Sequence, residues 1–375
     1  MQLKTFLLFF IFIQVQICGS AQTNTDTVYG KVSSVREKLI FLDSTKENWK
    51  LWSTEGEYGH YGFTNPENKL RMFWDAWHHF SFVHYVNYLR LYNKKGELIE
   101  EQWFKKNDKL ISRYQYEYDT NGNKINVKNI YWNDQYRTTR YHYNYMNQLV
   151  SSIEFDSYYQ DRYEYSYYRY DSSLLLQQKE NFDEDGESWG LKFSYDKNKR
   201  VVKEFSHTPY HYYFDKEENA YEVNRDGVGI DLLQREFTYD STDKLLMETF
   251  YNADNQNNRS IPRSKTVYEY DNKGNLLAEK IGRDTAEVIK QFFYNEKNQL
   301  IKRVFLITNK SIPSYTIEYW YDNENIIRTV YTGEPWSANI TFSYSFDKKG
   351  NWIEQVRSHD GIPLYVLKRT IEYYE

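Results

Sequence analysis

A phrase of the form Tyr-x-Tyr-Asp-x-x-Gly-x-Leu recurs along most of this chain, and a chain that repeats one short unit has to stack copies of one supersecondary element. It reads Tyr116-Glu-Tyr-Asp-Thr-Asn-Gly122, Tyr268-Glu-Tyr-Asp-Asn-Lys-Gly274 and Tyr344-Ser-Phe-Asp-Lys-Lys-Gly350 in its clearest copies. Anchored on the second aromatic, the copies fall at Tyr92, Tyr118, Tyr143, Tyr170, Tyr195, Phe214, Tyr239, Tyr270, Tyr294, Tyr321 and Phe346. The successive gaps are 26, 25, 27, 25, 19, 25, 31, 24, 27 and 25 residues. The Phe214 copy is degenerate, and without it a gap of 44 opens.

Each unit reads as a β-hairpin. Tyr, Phe, Val, Ile and Trp crowd both flanks with period-two alternation. The Asp or Asn after the second aromatic can accept backbone N–H groups two residues on and start a turn. Three residues later the chain needs a left-handed residue, and Gly96, Gly122, Asn147, Gly274, Asn298, Asn325 and Gly350 supply it, with Lys199 and Asp243 as weaker versions. A type I turn followed by a left-handed residue is a three-residue hairpin loop with a G1 bulge. That geometry predicts cross-strand pairs Tyr92–Leu98, Tyr143–Leu149, Tyr195–Val201, Tyr239–Leu245, Tyr270–Leu276, Tyr294–Leu300, Tyr321–Ile327 and Phe346–Trp352. An aromatic–aliphatic pair on one face adds about 0.2–1 kcal/mol over an Ala pair, so this face is expected to be the inner one. Tyr118 opposite Lys124 breaks the rule. Between the two aromatics stand Glu117, His142, Arg169, Ser194, Thr238, Glu269 and Ser345, the residues of a solvated face, with Phe293 and Trp320 as two aromatic exceptions.

Over about Tyr88 to Tyr374 this pattern resembles the YD repeat of the Rhs family, and the ending Gly350-Asn-Trp with Arg369-Thr-Ile-Glu-Tyr is similar to short secreted YD-repeat proteins of Bacteroidota. The resemblance implies hairpins wound into a wide spiral sheet with a tyrosine-rich interior. The large family members carry a C-terminal effector after a proline-containing processing motif. Here the last repeat runs to Glu375 and no Asp-Pro occurs, so no toxin payload is expected. With this few copies, the expected architecture is all-β: tandem hairpins of about 25 residues forming a curved or spiral antiparallel sheet.

The ends differ in composition. Lys4, the apolar stretch Phe6 to Cys18 and Gly19-Ser20-Ala21 describe a secretory signal cut after Ala21. The apolar run is shorter than the roughly 20 residues a spanning helix needs, so no membrane span is expected in the mature chain. Acylation at Cys18 is disfavoured because Ile17 stands where a lipobox places a small residue. Loss of Cys18 with the signal leaves no cysteine and hence no disulfide. The expected divisions are a signal at 1–21, an N-terminal capping region at 22–87 and the repeat domain at 88–375. Val28 to Asp43 reads as two short strands. Asn65-Pro66-Glu67 followed by Leu70, Phe73, Trp74 and Trp77 reads as an amphipathic helix over about 66–78, suited to covering a sheet edge, with a strand as the rival reading of the same segment.

Removing Lys4 takes the net charge from −5 to −6, with both signs interspersed, which disfavours nucleic acid or an anionic membrane as partner. No nucleophile elbow, P-loop, dinucleotide glycine motif or cysteine pair is present, and no cofactor is implied. His78, His79 and His84 diverge from one another, Pro209 separates His207 from His211, and Asp183-Glu-Asp-Gly186 lacks the later ligands of a calcium loop, so no metal site is expected. The functional expectation is a secreted, non-catalytic scaffold of the periplasm or cell surface. Its partner would be a polysaccharide or an envelope protein, with sugar stacking on Phe293 and Trp320. The alternatives are an envelope-glycan hydrolase using a carboxylate pair, or a shell around a partner polypeptide.

Overall fold

The computed structural model describes residues 28–42 and 87–375, the latter except for 105–106, 132, 158–161, 184–187, 209–210, 216–219, 225–229, 255–258, 284–285, 309–313 and 334–335. The first strands are β1 (Val32–Phe41), β2 (Asn87–Tyr92), β3 (Leu98–Phe104), β4 (Leu110–Tyr118), β5 (Lys124–Tyr131) and β6 (Tyr136–Tyr143). There follow β7 (Leu149–Asp156), β8 (Arg162–Tyr170), β9 (Leu176–Asp183), β10 (Ser188–Tyr195), β11 (Val201–Thr208) and β12 (His211–Asp215). Next come β13 (Ala220–Asn224), β14 (Ile230–Tyr239), β15 (Leu245–Asp254), β16 (Arg259–Tyr270), β17 (Leu276–Arg283) and β18 (Ala286–Tyr294). The chain ends with β19 (Leu300–Ile307), β20 (Tyr315–Asp322), β21 (Asn325–Gly333), β22 (Trp336–Phe346), β23 (Trp352–His359) and β24 (Ile362–Tyr373). The expected helix at 66–78 lies outside the described residues.

Turn chemistry makes the hairpins. At Asp271 one carboxylate oxygen accepts the N–H groups of Lys273 (2.9 Å) and Asn275 (2.8 Å), and Gly274 follows with φ 95°. Asn93, Asp119, Asn144, Asp171, Asp196, Asp240, Asn295 and Asp347 each accept the same two N–H groups. The left-handed residue is the expected one in most copies, Lys199 and Asp243 included. Leu174, at φ 64°, is an addition the sequence did not announce. A leucine there costs about 1–2 kcal/mol, which the two bonds to Asp171 hold in place. One turn differs. Asn323 (φ 51°), and not Asn325, takes the left-handed position, and Asp322 pairs directly with Asn325. The shorter loop moves the register by one, so Tyr321 faces Ile326 where Ile327 was expected.

Every other predicted pair is present, each beside a register shift that marks the bulge, and Tyr170 faces Leu176 in the same way. The Lys124 exception acquires a cause: its ammonium lies 4.7 Å from the centre of the Tyr116 ring, a cation–π contact in place of an aliphatic one, and burial lowers its pKa.

In seven units the second tyrosine ties its hairpin to the one before, Tyr270 being the exception. Its hydroxyl donates to the carbonyl of the residue that opens the preceding hairpin's second strand: Tyr118 to Leu98 (2.8 Å), Tyr143 to Lys124 (3.0 Å), Tyr170 to Leu149 (2.9 Å) and Tyr195 to Leu176 (2.7 Å). The series continues with Tyr239 to Val201 (2.9 Å), Tyr294 to Leu276 (3.0 Å) and Tyr321 to Leu300 (2.7 Å). Phe346 has no hydroxyl, and Tyr344 reaches Ile326 instead (2.8 Å). The bond from Tyr239 to Val201 passes over the expected Phe214 copy. Phe214 lies on β12, which among the described residues pairs only with β13 in a separate two-stranded sheet, so this degenerate unit is an excursion and not a rung.

The expectation of a curved or spiral sheet is corrected by its ends. β1 pairs antiparallel with β2 along one side and with β24 along the other, which closes the strands into a 22-stranded antiparallel barrel. Val28 to Asp43 therefore does not form two short strands: Val32–Phe41 is one continuous strand that covers both edges the hairpins leave open. Closure is favourable because each free edge would expose a row of unpaired backbone groups. At the seam Tyr29 and Asn351 exchange two bonds (2.6 and 2.9 Å), and Tyr374 N–H donates to Lys31 (2.7 Å). The ladder face is the inner one. Tyr268, Leu276, Leu300, Ile317, Tyr319 and Tyr331 form a dry cluster across β16–β21.

Tyr321→Phe keeps the ring and leaves the Leu300 carbonyl without its donor, so denaturant unfolding should show a loss of about 1 kcal/mol. Leu174→Gly should raise stability by about 1 kcal/mol in the same assay, because glycine holds φ 64° without the Cβ penalty.

Candidate functional site on the inner wall

Two sectors of the inner wall differ in chemistry. Across β16–β21 a buried apolar cluster dominates, with the Glu279–Lys290 ion pair (3.1 Å) and Arg303, over the Phe292 ring, on the same face. Across β6–β10, alternation brings polar residues into phase with Tyr168 and Tyr170, on the ladder face. Thr139 faces Glu154, and Arg137 faces Asp156. Glu154 also faces Glu164, which in turn faces Asp183, so three carboxylates lie side by side on β7, β8 and β9. Like charges directly opposite one another destabilise a sheet. Arg137 offsets part of this through Asp156 (2.7 Å) and Glu154 (3.3 Å), while Arg162 reaches Asp183 at 4.0 Å. Glu164 makes no ion pair or side-chain hydrogen bond among the described residues. One row further along, Ser166 donates to Asn181 (2.7 Å), which is buried.

This wall is wet. Arg162 and Glu164 are exposed, and Trp189, inward on β10 and opposite Asn181, has 55% of its surface exposed. The Lys179 ammonium lies between the Tyr168 and Trp189 rings, 5.7 and 6.0 Å from their centres. Four acids (Glu154, Asp156, Glu164, Asp183) and three bases (Arg137, Arg162, Lys179) thus line the sector, an excess of one negative charge. Such a surface can hold a small solute by charge-assisted hydrogen bonds and ring stacking. Among the described residues no group of three His, Cys, Asp or Glu side chains converges as a metal site would require.

Near the seam the inner wall holds its charges in a different way. The Glu37 carboxylate is fully buried and accepts Tyr88 (2.8 Å) and Arg369 (2.9 and 3.1 Å). Arg90 bonds Glu101, which also accepts the Trp103 indole (2.7 Å). On β11, β14 and β15, Arg235 joins Glu204 (2.7 Å) and Glu248 (3.4 Å), and burial pushes the Glu248 carboxyl up against the pull of Arg235. These pairs are structural: removing one partner strands a buried charge.

The outer face is charged on successive sectors. Ion pairs Arg169–Glu180 (3.1 Å), Lys203–Glu236 (3.0 Å), Lys302–Glu318 (3.2 Å) and Lys368–Glu354 (3.7 Å) all point outward. Phe293 and Trp320 are outward too, 44% and 38% exposed. They do not adjoin. β19 runs between them with the Lys302–Glu318 pair, and the Arg328 guanidinium covers Trp320 at 4.7 Å. A larger outward aromatic run, Tyr136–Phe155–Tyr163–Tyr165, has successive centroid distances of 5.5, 5.0 and 6.3 Å on β6–β8. Sequence reasoning missed it, although Tyr163, Tyr165 and Tyr167 alternate in the phase opposite to Tyr168 and Tyr170.

Ring closure overturns the functional expectation of a secreted repeat scaffold, because the hairpins form one closed wall. The expected ligand residues Phe293 and Trp320 face outward on that wall with a charged strand between them.

No protein-family model matches the chain, and no curated protein matches it. Among solved structures it is similar to the Photorhabdus luminescens Tc holotoxin pore, at 11% identity and TM-score 0.37, over 88% of this chain and 17% of that one. It is similar to a porin-like protein from Bacteroides uniformis at 11% identity and TM-score 0.24, over 91% and 96% of the two chains. A porin-like protein from Bacteroides vulgatus gives 11% identity and TM-score 0.26 over 72% and 95%. The chain thus spans less than a fifth of the toxin chain, and likenesses of this degree establish neither a shared fold nor an activity.

Arg369→Met should cost about 3–5 kcal/mol in thermal or denaturant unfolding, because Glu37 loses its buried counter-charge. An unchanged midpoint would mean that Tyr88 alone satisfies that carboxylate.

Proposed function

We propose that the protein is a non-catalytic barrel of the bacterial envelope that works through its inside, engaging small polar solutes with a cationic group on the wet wall of β6–β10. The observation that carries this reading is the row Glu154–Glu164–Asp183. Three adjacent carboxylates weaken the sheet, turn-driven hairpin formation does not need them, and they sit where the inner wall is accessible. Trp189 and Tyr168 beside Lys179 add ring faces of the kind that receive cations. The secretory-type N-terminus supports the envelope, and the turn-and-tyrosine register supports kinship with the YD repeat of the Rhs family. The β6–β10 sector is pore-like in presenting a polar surface inside a closed ring. Its outer ion pairs speak for a hydrated exterior, since a Lys or Arg facing lipid at mid-bilayer costs about 2–4 kcal/mol.

Titration calorimetry with putrescine as the probe tests the reading. The purified barrel should bind the diamine in a salt-sensitive manner, and the Glu154→Gln/Glu164→Gln variant should lose most of that binding. Glu164→Gln alone should raise unfolding stability by about 0.5 kcal/mol, since a like-charge contact is relieved. Equal putrescine binding in the double variant would refute the assignment, and stepwise conductance in planar bilayers would move the protein into the membrane.

A further inference from the structure

We propose that the barrel seam carries a second binding site, for a small organic anion with an apolar body. A cavity of about 410 Å³ opens where β1, the β2–β3 turn and the C-terminal strand meet. Its apolar lining comes from Val32, Val35, Tyr92 and Tyr374, and Val35 is buried. Its charged lining is Lys31, Lys94 and Lys95, with no Asp or Glu among the lining residues. In a chain of net charge −5, three ammonium groups around one cavity reverse the prevailing sign.

The surrounding bonds leave these lysines available. None of the three forms an ion pair among the described residues. Of the acids nearest in sequence, Glu97 accepts the amide of Asn93 (2.6 Å), Glu372 accepts the Ser34 hydroxyl (2.9 Å), and Glu375, next to Tyr374, is exposed and outside the lining. The frame is set by backbone. Gly30 holds φ 103°, and a Cβ there would meet Tyr373 and Lys349 at 3.0–3.1 Å, so Lys31 enters β1 along a fixed path. Gly96, at φ 83°, closes the turn that presents Lys94 and Lys95. The Tyr374 hydroxyl donates to the Tyr92 carbonyl across the seam, joining two walls of the cavity. An anion bound here bridges β1, the first hairpin and the C-terminal strand, the three elements whose meeting closes the ring. Binding should therefore also stabilise closure by mass action.

The site is independent of the β6–β10 wall, and its test uses different probes. Binding of 2-naphthoate, its neutral isostere 2-naphthamide and inorganic phosphate to the whole protein would be measured by calorimetry, with melting followed in parallel. The expected result is naphthoate binding that raises the melting midpoint and weakens about tenfold in Lys31→Gln/Lys94→Gln/Lys95→Gln, which removes three surface charge contacts. Lys273→Gln, on the β16–β17 turn and outside the cavity lining, should keep the affinity, and circular dichroism of both variants should match the parent. Equal binding of the amide, phosphate binding as tight as naphthoate, or undiminished affinity in the triple variant would each overturn the proposal.

Discussion

A tyrosine hydroxyl bonded to the carbonyl of the neighbouring hairpin is the interaction on which this barrel depends. The bulge that lets a three-residue turn match strand twist also interrupts the ladder of backbone bonds beside it. A carbonyl at the start of a second strand then receives the next unit's hydroxyl, in seven units between Tyr118 and Tyr321, Tyr270 excepted. The same side chain supplies ring area to the inner face, so one residue joins packing and polar satisfaction. Where Phe346 removes the hydroxyl, Tyr344 provides it from the position two residues earlier. The bond is thus kept there from a different position of the repeat.

Hairpins tied in this way form a wall with two free edges. The strand preceding the repeats resolves both at once, since β1 lies between β2 and β24. The two ends of the described chain thereby become one structural unit, with Glu37 and Arg369 bonded across 332 positions of sequence. A buried ion pair adds little net stability over a well-packed apolar pair, but a shifted register would leave both charges without partners. At the seam it therefore acts mainly to fix alignment.

Once closed, the wall has two chemically distinct inner sectors. The one from β16 to β21 is dominated by a buried apolar cluster, with the Glu279–Lys290 pair beside it. The wet one, from β6 to β10, sets carboxylates opposite each other and exposes a tryptophan inward. The proposed role of the inside rests on that cost in sheet stability. The outer face repeats Lys–Glu and Arg–Glu pairs, which water stabilises and hydrocarbon would not.

Much of the local structure was legible in the sequence. Asp or Asn followed by Gly, Asn or even Lys199 reports the turn, and the turn dictates register, so pairs such as Tyr294–Leu300 follow from spacing alone. Leu174 and Asn323 escaped because their left-handed conformations depend on how neighbouring bonds hold each loop, not on residue type. The Phe214 unit looked like a rung because its spacing fits, yet whether Tyr239 bonds to Val201 or to an intervening hairpin is a tertiary matter. The row Glu154–Glu164–Asp183 was invisible for a similar reason: the acids are scattered in sequence and become neighbours only when three strands pair. What the sequence by itself determined is the unit, a bulged hairpin with a tyrosine face. Only the tertiary structure decided that the units close into a ring, because closure depends on twist accumulated over the whole wall and on one distant strand that fits both of its edges.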